Sequence, residues 1–188
     1  RIGLVGDIGS GKSFISSFFK YPVFNADKAI IKIYRQNKSC YYKLKKVFPN
    51  SIKKFPIKKK EIISLIFEDE RNLRKLGNII HPYVNKELKK FLKKNKKKKG
   101  VLDIPLLLEN KIMLPGLFYV FIHSKKSHIL QNLKKRPNFN KKLYKLMKKN
   151  QLPLIYKRRK SEFVINNDFR SLNFIKKINL IKREIKQK

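Results

Sequence analysis

The chain has 188 residues and a mass of 22.5 kDa, which fits one compact unit or a core with small inserted subdomains. A single cysteine, Cys40, excludes an intramolecular disulfide, and no apolar run approaches the roughly 20 residues of a membrane span, so we expect a cytoplasmic protein. The net charge of +37 would fit a nucleic-acid-binding protein, but 40 of the 49 basic residues are lysine and 9 are arginine, which favours a compositional bias toward lysine.

The predicted elements begin with a buried strand and a glycine-rich turn. Residues 2–5 form an apolar run that ends at Gly6, and residues 13–19 are predicted to form a helix. Four of the seven glycines lie in the first eleven residues, so we expect the tightest backbone at this turn. A second short strand is predicted at residues 22–25, and the apolar spacing of residues 26–34 predicts a helix.

A lysine-rich, amphipathic segment follows at residues 38–95 and predicts a mostly helical insertion, although Pro49 and Pro56 interrupt its pattern. Its last part, residues 67–92, has apolar residues at helical spacing, and Pro82 predicts a break or kink there. The acidic residues 68–70 are expected near a helix start, with no role in chemistry.

The rest of the chain predicts three more strands, at residues 100–104, 117–122 and 162–165, and helices at residues 125–135, 140–150 and 171–186. Short strands separated by helices imply crossover connections. The predicted fold is therefore α/β in three layers, with a parallel five-stranded sheet. Such sheets bind ligands at the carboxyl ends of their strands, where the first glycine-rich turn is placed.

That turn carries a phosphate-loop motif, because residues 6–13 (GDIGSGKS) match G-x-x-x-x-G-K-[ST] in full. Glycines allow backbone N–H groups to surround an anion, Lys12 can reach the β- and γ-phosphates, and the Ser13 hydroxyl can bind magnesium. A purine triphosphate with Mg²⁺ is the implied ligand. The residues predicted to bind it are Gly9, Ser10, Gly11, Lys12, Ser13 and Phe14.

Three of the scarce acidic residues are candidates for the chemistry. Asp27, after the second strand, either accepts a proton from an attacking hydroxyl or caps the following helix. Asp103, at the end of the third strand, either holds magnesium or caps a turn. Glu109, at the end of an apolar run, either binds substrate or serves as a cap.

Arginine is rare in this chain, which makes Arg136, Arg158 and Arg159 notable. An arginine on a mobile segment can stabilise charge on a transferring phosphoryl group, and the alternative for each is ordinary surface charge. His81, which precedes Pro82, is more typical of a packing or capping residue than of a ligand.

Taken together, these motifs resemble those of the dephospho-CoA kinase family, small phosphate-loop kinases that complete coenzyme A synthesis. Residues 2–13 are similar to the family's IGLTGGIGSGKS opening, and later segments resemble further family motifs in the same order. These segments are Asn25-Ala26-Asp27 (D-A-D), residues 80–82 (L-H-P), residues 103–109 (P-L-L-x-E), residues 130–136 (L-x-R-L-x-x-R), residues 151–158 (Q-M-P-L-x-x-K-R) and residues 163–167 (Y-V-I-D-N).

The resemblance implies a phosphate-loop kinase fold with three parts: a nucleotide-binding core (residues 1–30, 98–124 and 161–188), a helical substrate domain (31–97) and a lid (125–160). It implies ATP-dependent phosphorylation of the ribose 3'-hydroxyl of dephospho-CoA. Lys12, Asp27 as the base, and Arg136 from the lid are the implied catalytic residues. His81 and Glu109 become substrate candidates, and Ser13 and Asp103, from the motif and the strand end, stay the predicted magnesium ligands.

The sequence departs from the family pattern at several positions. Asp7 replaces the usual second glycine of the phosphate loop, which is tolerable if the side chain points outward but would otherwise weaken ATP binding. Phe14 stands where threonine is usual, so we expect its backbone alone to contribute to binding. Asn25 replaces the first acid of D-A-D, and Asn132 replaces the first arginine of the lid.

Two other functions stay open from the sequence: another small-molecule or nucleoside kinase, and a basic RNA-binding protein with a phosphate loop. We expect ATP and dephospho-CoA as partners, no specific nucleic acid, no membrane, and a monomer or small homo-oligomer. The positive charge is expected to attract both polyanionic substrates at low salt.

Overall fold

The computed structural model describes residues 1–110, 112, 114–136, 139–170 and 172–187, so Ser171, where the last predicted helix was expected to begin, lies outside the described residues. The chain divides into two units. One comprises Arg1–Asn25 with Asn95–Lys188, and the other comprises Ala26–Lys94. The finer division into nucleotide-binding core, helical substrate domain and lid stays a prediction.

The first unit is built on a five-stranded sheet in which every pair of neighbouring strands is parallel, as predicted. The strand order is β2-β3-β1-β4-β5. The strands are β1 (Ile2–Gly6), β2 (Val23–Asn25), β3 (Val101–Asp103), β4 (Phe118–His123) and β5 (Phe163–Asn166). The first strand therefore lies at the centre, and the loop that follows it opens at the carboxyl edge, where parallel sheets bind ligands.

Helices flank this sheet, as parallel crossover connections require. Alternate residues of a strand point to the same face, and on one face residues such as Ile2, Leu4 and Ile165 are fully buried against an amphipathic C-terminal helix. Burial of each such side chain stabilises the folded state by about 1.5–3 kcal/mol. The helices of this unit are α1 (Lys12–Phe18), α6 (Lys126–Lys134), α7 (Lys141–Lys149), α8 (Leu154–Arg159) and α9 (Phe174–Gln187).

The second unit consists of four helices, which confirms the predicted helical character of this segment. They are α2 (Ala26–Gln36), α3 (Lys38–Val47), α4 (Lys59–Glu68) and α5 (Arg71–Lys94). The long helix α5 contacts the other three along a buried stripe that includes Leu76, Ile80, Val84 and Leu88, at the four-residue spacing of one helix face.

Of the break or kink predicted at Pro82, the break is wrong, because α5 continues through this residue, and the kink stays a prediction. A proline inside a helix removes one hydrogen bond and costs about 3 kcal/mol. Buried apolar residues lie on both sides of it, at Ile80 and Val84, and their packing outweighs that cost.

None of the helices in the described part of the chain combines the length and the apolar character that crossing a lipid bilayer requires.

Candidate active site

The phosphate loop follows β1 and leads directly into α1, the strand, loop and helix order that the motif requires. Three of its glycines have a positive φ, Gly6 at 144°, Gly9 at 82° and Gly11 at 89°. A Cβ atom at Gly11 would lie 2.2 Å from the Nδ2 atom of Asn167. Only glycine fits this position in both conformation and space.

The loop is anchored through the main-chain oxygen of Ser10. This oxygen accepts a 2.9 Å hydrogen bond from Asn167 Nδ2 and a 3.0 Å hydrogen bond from the Ser124 hydroxyl. Asn167 is 2% exposed, and its Oδ1 atom also accepts from the backbone N–H of Phe169. The segments after β4 and β5 thus hold the phosphate loop in place.

Lys12 and Ser13 begin α1, immediately after the glycines. The Lys12 ammonium donates a 2.7 Å hydrogen bond to the main-chain oxygen of Asp7 and a 3.4 Å hydrogen bond to that of Gly6. Its positive charge therefore lies directly against the loop backbone. Ser13 is exposed in the first turn of the helix, where its hydroxyl is accessible to a ligand.

Phe14 has a structural contact that the sequence did not predict. Its ring meets Phe18 and Phe174 edge-on, with centroids 5.0 Å and 5.9 Å apart, although the residue is 49% exposed. Edge-to-face aromatic pairs of this kind are stabilising. The side chain therefore helps to hold α1 against α9.

The two strands at one edge of the sheet end on a polar pair. Asn25, at the end of β2, lies in register with Asp103, at the end of β3. The Asn25 Nδ2 atom donates a 2.6 Å hydrogen bond to Asp103 Oδ2, and Asp103 is 3% exposed. At position 25 the D-A-D motif has an acid, which would face Asp103 as a second carboxylate. This chain instead has the amide of Asn25, which donates to Asp103 and orients its carboxylate.

The sequence predicts that Asp7 is tolerable if its side chain points outward. In the structure the side chain does not point outward. It is 7% exposed, its Oδ1 atom accepts a 2.7 Å hydrogen bond from the Ile8 N–H, and its Oδ2 atom forms an ion pair with Lys148 of α7. The acid in the phosphate loop is therefore neutralised by a lysine far along the chain.

Glu109 forms a second internal ion pair, with Lys157 of α8 at 2.5 Å. Its Oε1 atom also accepts a 3.0 Å hydrogen bond from the Leu152 N–H, and Lys157 is 2% exposed. Within the described residues, the buried Oε2 atom of Glu109 has no hydrogen-bond partner. These contacts tie the segment around residue 109 to the start of α8, and the substrate role of Glu109 stays a prediction.

The comparisons with known proteins decide the family. The family model described as "Dephospho-CoA kinase" matches residues 1–173. The chain belongs to the dephospho-CoA kinase family.

Relatives and solved structures agree with this membership. A dephospho-CoA kinase of Wolbachia sp. subsp. Brugia malayi is 35% identical over 171 residues, which cover 88% of this chain and 87% of the relative. One from Bacillus thuringiensis is 33% identical over 176 residues, with 89% and 88% covered. The crystal structure of TT1252 from Thermus thermophilus matches with a TM-score of 0.78 at 25% identity, covering 97% of this chain and 96% of that one.

Asp27, which the resemblance to the D-A-D motif predicts to be the base, lies in the first turn of α2, two residues after the end of β2. The helix begins at Ala26, so Asp27 lies inside its first turn and not at the residue that precedes it. Its side chain is exposed, and a carboxylate is favourable in the first turn because the helix dipole is positive there. The exposure leaves the carboxylate accessible to a substrate.

Arg136, which matches the family's lid arginine, is exposed in the turn directly after α6. Asn132, at the position of the other lid arginine, lies within α6 and donates a 2.9 Å hydrogen bond to the main-chain oxygen of His128. That side chain is therefore engaged with its own helix.

His81 is exposed on α5 in the helical unit, beside Gly77.

Residues of the site that were not predicted from the sequence include Lys148, Asn167 and Gln151, whose amide nitrogen, with the amide oriented to satisfy both of its neighbours, donates to Asp7 Oδ1 at 3.0 Å. Gln151 and Asn167 lie within segments that resemble family motifs, so that resemblance was the available signal. For Lys148 the signal was indirect, since a carboxylate inside a phosphate-binding loop needs a positively charged partner.

Proposed function

We propose that this chain transfers the γ-phosphoryl group of ATP to the ribose 3'-hydroxyl of dephospho-CoA, giving coenzyme A and ADP in the last step of coenzyme A biosynthesis. The observation that carries the proposal is the phosphate loop at the carboxyl edge of β1, in a chain that the family model matches over residues 1–173. Family membership makes ATP the co-substrate.

The loop binds the phosphates of ATP through its backbone and through Lys12. Residues from Gly9 to Phe14 contribute N–H groups, which the left-handed glycines allow to turn toward an anion. The Lys12 ammonium already lies against the loop, where its charge favours the β- and γ-phosphates.

Asp103 and Ser13 fit a magnesium ion by the chemistry of their donor atoms, since Mg²⁺ prefers hard oxygen ligands and is often held through water. Asp103 supplies a carboxylate at the end of β3, and Ser13 supplies an exposed hydroxyl at the start of α1. When bound, Mg²⁺ neutralises charge on the phosphates.

Asp27 orients the 3'-hydroxyl and accepts its proton as the oxygen forms a bond to the γ-phosphorus. The bond between that phosphorus and the oxygen of the β-phosphate breaks, and ADP leaves. Arg136 stabilises the charge on the phosphoryl group, and closure of the lid, residues 125–160, excludes water as a competing acceptor. His81 and Glu109 belong to the proposed substrate region.

A cytoplasmic monomer or small homo-oligomer fits an enzyme with two soluble, polyanionic substrates. The excess of lysine attracts both substrates by long-range electrostatics that salt screens, without a specific nucleic-acid partner.

The decisive experiment incubates the purified protein with ATP, MgCl₂ and dephospho-CoA, and measures ADP by a coupled assay and coenzyme A by mass spectrometry. Product should form and should be abolished by Lys12→Met, whereas the exposed Lys145→Met variant should retain activity. Phosphorylation of nucleosides instead would support another kinase. Tight, salt-sensitive RNA binding without product would overturn the kinase function.

A further inference from the structure

An ion pair joins Asp7 to Lys148. Asp7 is the second residue of the phosphate loop, where the family motif has glycine, and Lys148 lies 141 residues later in α7. The pair therefore joins the loop that binds phosphate to the segment assigned to the lid.

Asp7 is held from three directions. The Ile8 N–H donates to its Oδ1 atom at 2.7 Å, and Lys148 forms the ion pair with Oδ2. With the Gln151 amide oriented to satisfy both of its neighbours, the Gln151 nitrogen donates to Asp7 Oδ1 at 3.0 Å and its oxygen accepts from Lys157 at 3.2 Å. The carboxylate is thus fixed in one buried position.

An unneutralised carboxylate at this place would oppose phosphate binding. It is largely buried, so water screens it poorly, and the main-chain oxygen of the same residue already accepts from Lys12. Without a partner, Asp7 would both repel the phosphates of ATP and compete for the positive potential of Lys12. The ammonium of Lys148 removes this penalty by offsetting the negative charge locally.

We propose that Lys148 is a positioning residue that neutralises Asp7 and thereby sets the affinity of the phosphate loop for ATP. It acts through Asp7 and does not touch ATP itself, so the pair makes an acidic phosphate loop compatible with a polyanionic ligand. This inference rests on the proposed function of the loop as the ATP site.

A double-mutant cycle tests the proposal. Wild type, Lys148→Met, Asp7→Asn and the double variant are titrated with ATP and MgCl₂ by isothermal calorimetry, and KM for ATP, KM for dephospho-CoA and kcat are measured in parallel. Lys148→Met should weaken ATP binding at least tenfold, with KM for dephospho-CoA unchanged. The double variant should bind ATP within about threefold of wild type, because the charge that needed neutralising is gone.

Two matched variants separate this effect from general charge and from folding. Lys145→Met removes one exposed lysine from the same helix and should change ATP affinity less than twofold, whereas Lys148→Arg should retain binding. If Lys148→Met does not fold, the comparison of Asp7→Asn with the double variant decides, and equal affinities support the proposal.

Three results would overturn the inference. The first is a double variant that binds ATP as weakly as Lys148→Met, which would mean that Lys148 contacts ATP directly. The second is a Lys148→Met variant that binds ATP no more weakly than Lys145→Met. The third is an Asp7→Asn protein that loses tenfold in ATP affinity when Lys148 is also replaced. Wild-type protein that binds ATP but forms no coenzyme A would contradict the proposed function instead, and the binding cycle would still report on Lys148.

Discussion

The amide of Asn25 donates a 2.6 Å hydrogen bond to the carboxylate of Asp103 across the ends of two neighbouring strands. The D-A-D motif of the dephospho-CoA kinase family has an acid where this chain has Asn25. The substitution replaces a pair of facing carboxylates by a donor and an acceptor, and therefore leaves Asp103 as the single carboxylate of this pair.

Restoring the acid with Asn25→Asp should make the protein less stable without metal. Two carboxylates at this distance repel each other, and the expected loss is about 1–3 kcal/mol in the free energy of unfolding in EDTA. Excess magnesium chloride should relieve the repulsion, so the melting temperature of this variant should rise more with magnesium than that of wild type. Thermal melts with and without magnesium measure the difference.

The Asn25→Ala variant is the control, because it removes the hydrogen bond without adding a charge. It should be destabilised equally with and without magnesium. If Asn25→Asp shows no greater magnesium dependence than Asn25→Ala, Asp103 is not part of a metal site.

The ion pair of Glu109 and Lys157 should be essential to the stability of the first unit, which contains the five-stranded sheet. Lys157 is 2% exposed, and removing one member of a buried pair leaves an uncompensated charge. Lys157→Met should therefore lower the free energy of unfolding by about 3–5 kcal/mol, measured by urea denaturation.

Two further variants test that assignment. Adding Glu109→Gln to Lys157→Met should recover part of the loss, because no charge is then left buried. The exposed Lys160→Met variant, from the same segment, should stay within about 0.5 kcal/mol of wild type. A Lys157→Met protein as stable as Lys160→Met would show that the pair contributes nothing.

The parts of the fold that the sequence predicted well are those with a local signal. The five strands are short apolar runs between turn residues, and the phosphate loop is a contiguous motif. At Pro82 the local rule predicted a break or a kink, and packing of apolar residues on both sides keeps the helix unbroken.

The contacts that no local pattern predicts are those between distant residues. Lys148 is one of 40 lysines, and nothing in the neighbouring sequence indicates that it pairs with Asp7. The hydrogen bond from Asn25 to Asp103 likewise depends on strand order, because it requires β2 and β3 to be neighbours.

Replacing Asp27 with asparagine should greatly lower turnover and leave ATP binding nearly intact. The variant keeps the size of the side chain but cannot accept the proton of the attacking hydroxyl, and loss of a general base costs about 10²–10⁴-fold in rate. The measurement pairs kcat with ATP affinity by calorimetry. Glu70→Gln, an exposed acid in the helical unit, should retain full turnover. Unchanged kcat in Asp27→Asn would refute the assignment of the base.

Cys40 should resist thiol reagents for as long as the helical unit stays folded. The thiol is fully buried in α3, and desolvation raises its pKa from 9.0 to about 11. A raised thiol pKa lowers the fraction of reactive thiolate at pH 8, and burial also blocks the approach of the reagent. Alkylation by iodoacetamide, followed by mass spectrometry, should be at least about 100-fold slower in the folded protein than in urea.

The pH dependence of that alkylation separates the two states further. In urea the rate should level off above the ordinary thiol pKa of 9.0, whereas in the folded protein it should continue to rise toward about pH 11. The folded state holds the thiol proton more tightly, so the stabilising contribution of the neutral thiol is lost as the pH rises from 9.0 through about 11. Rapid labelling of the native protein at pH 8 would contradict the burial of Cys40 and the packing of α3 against α5.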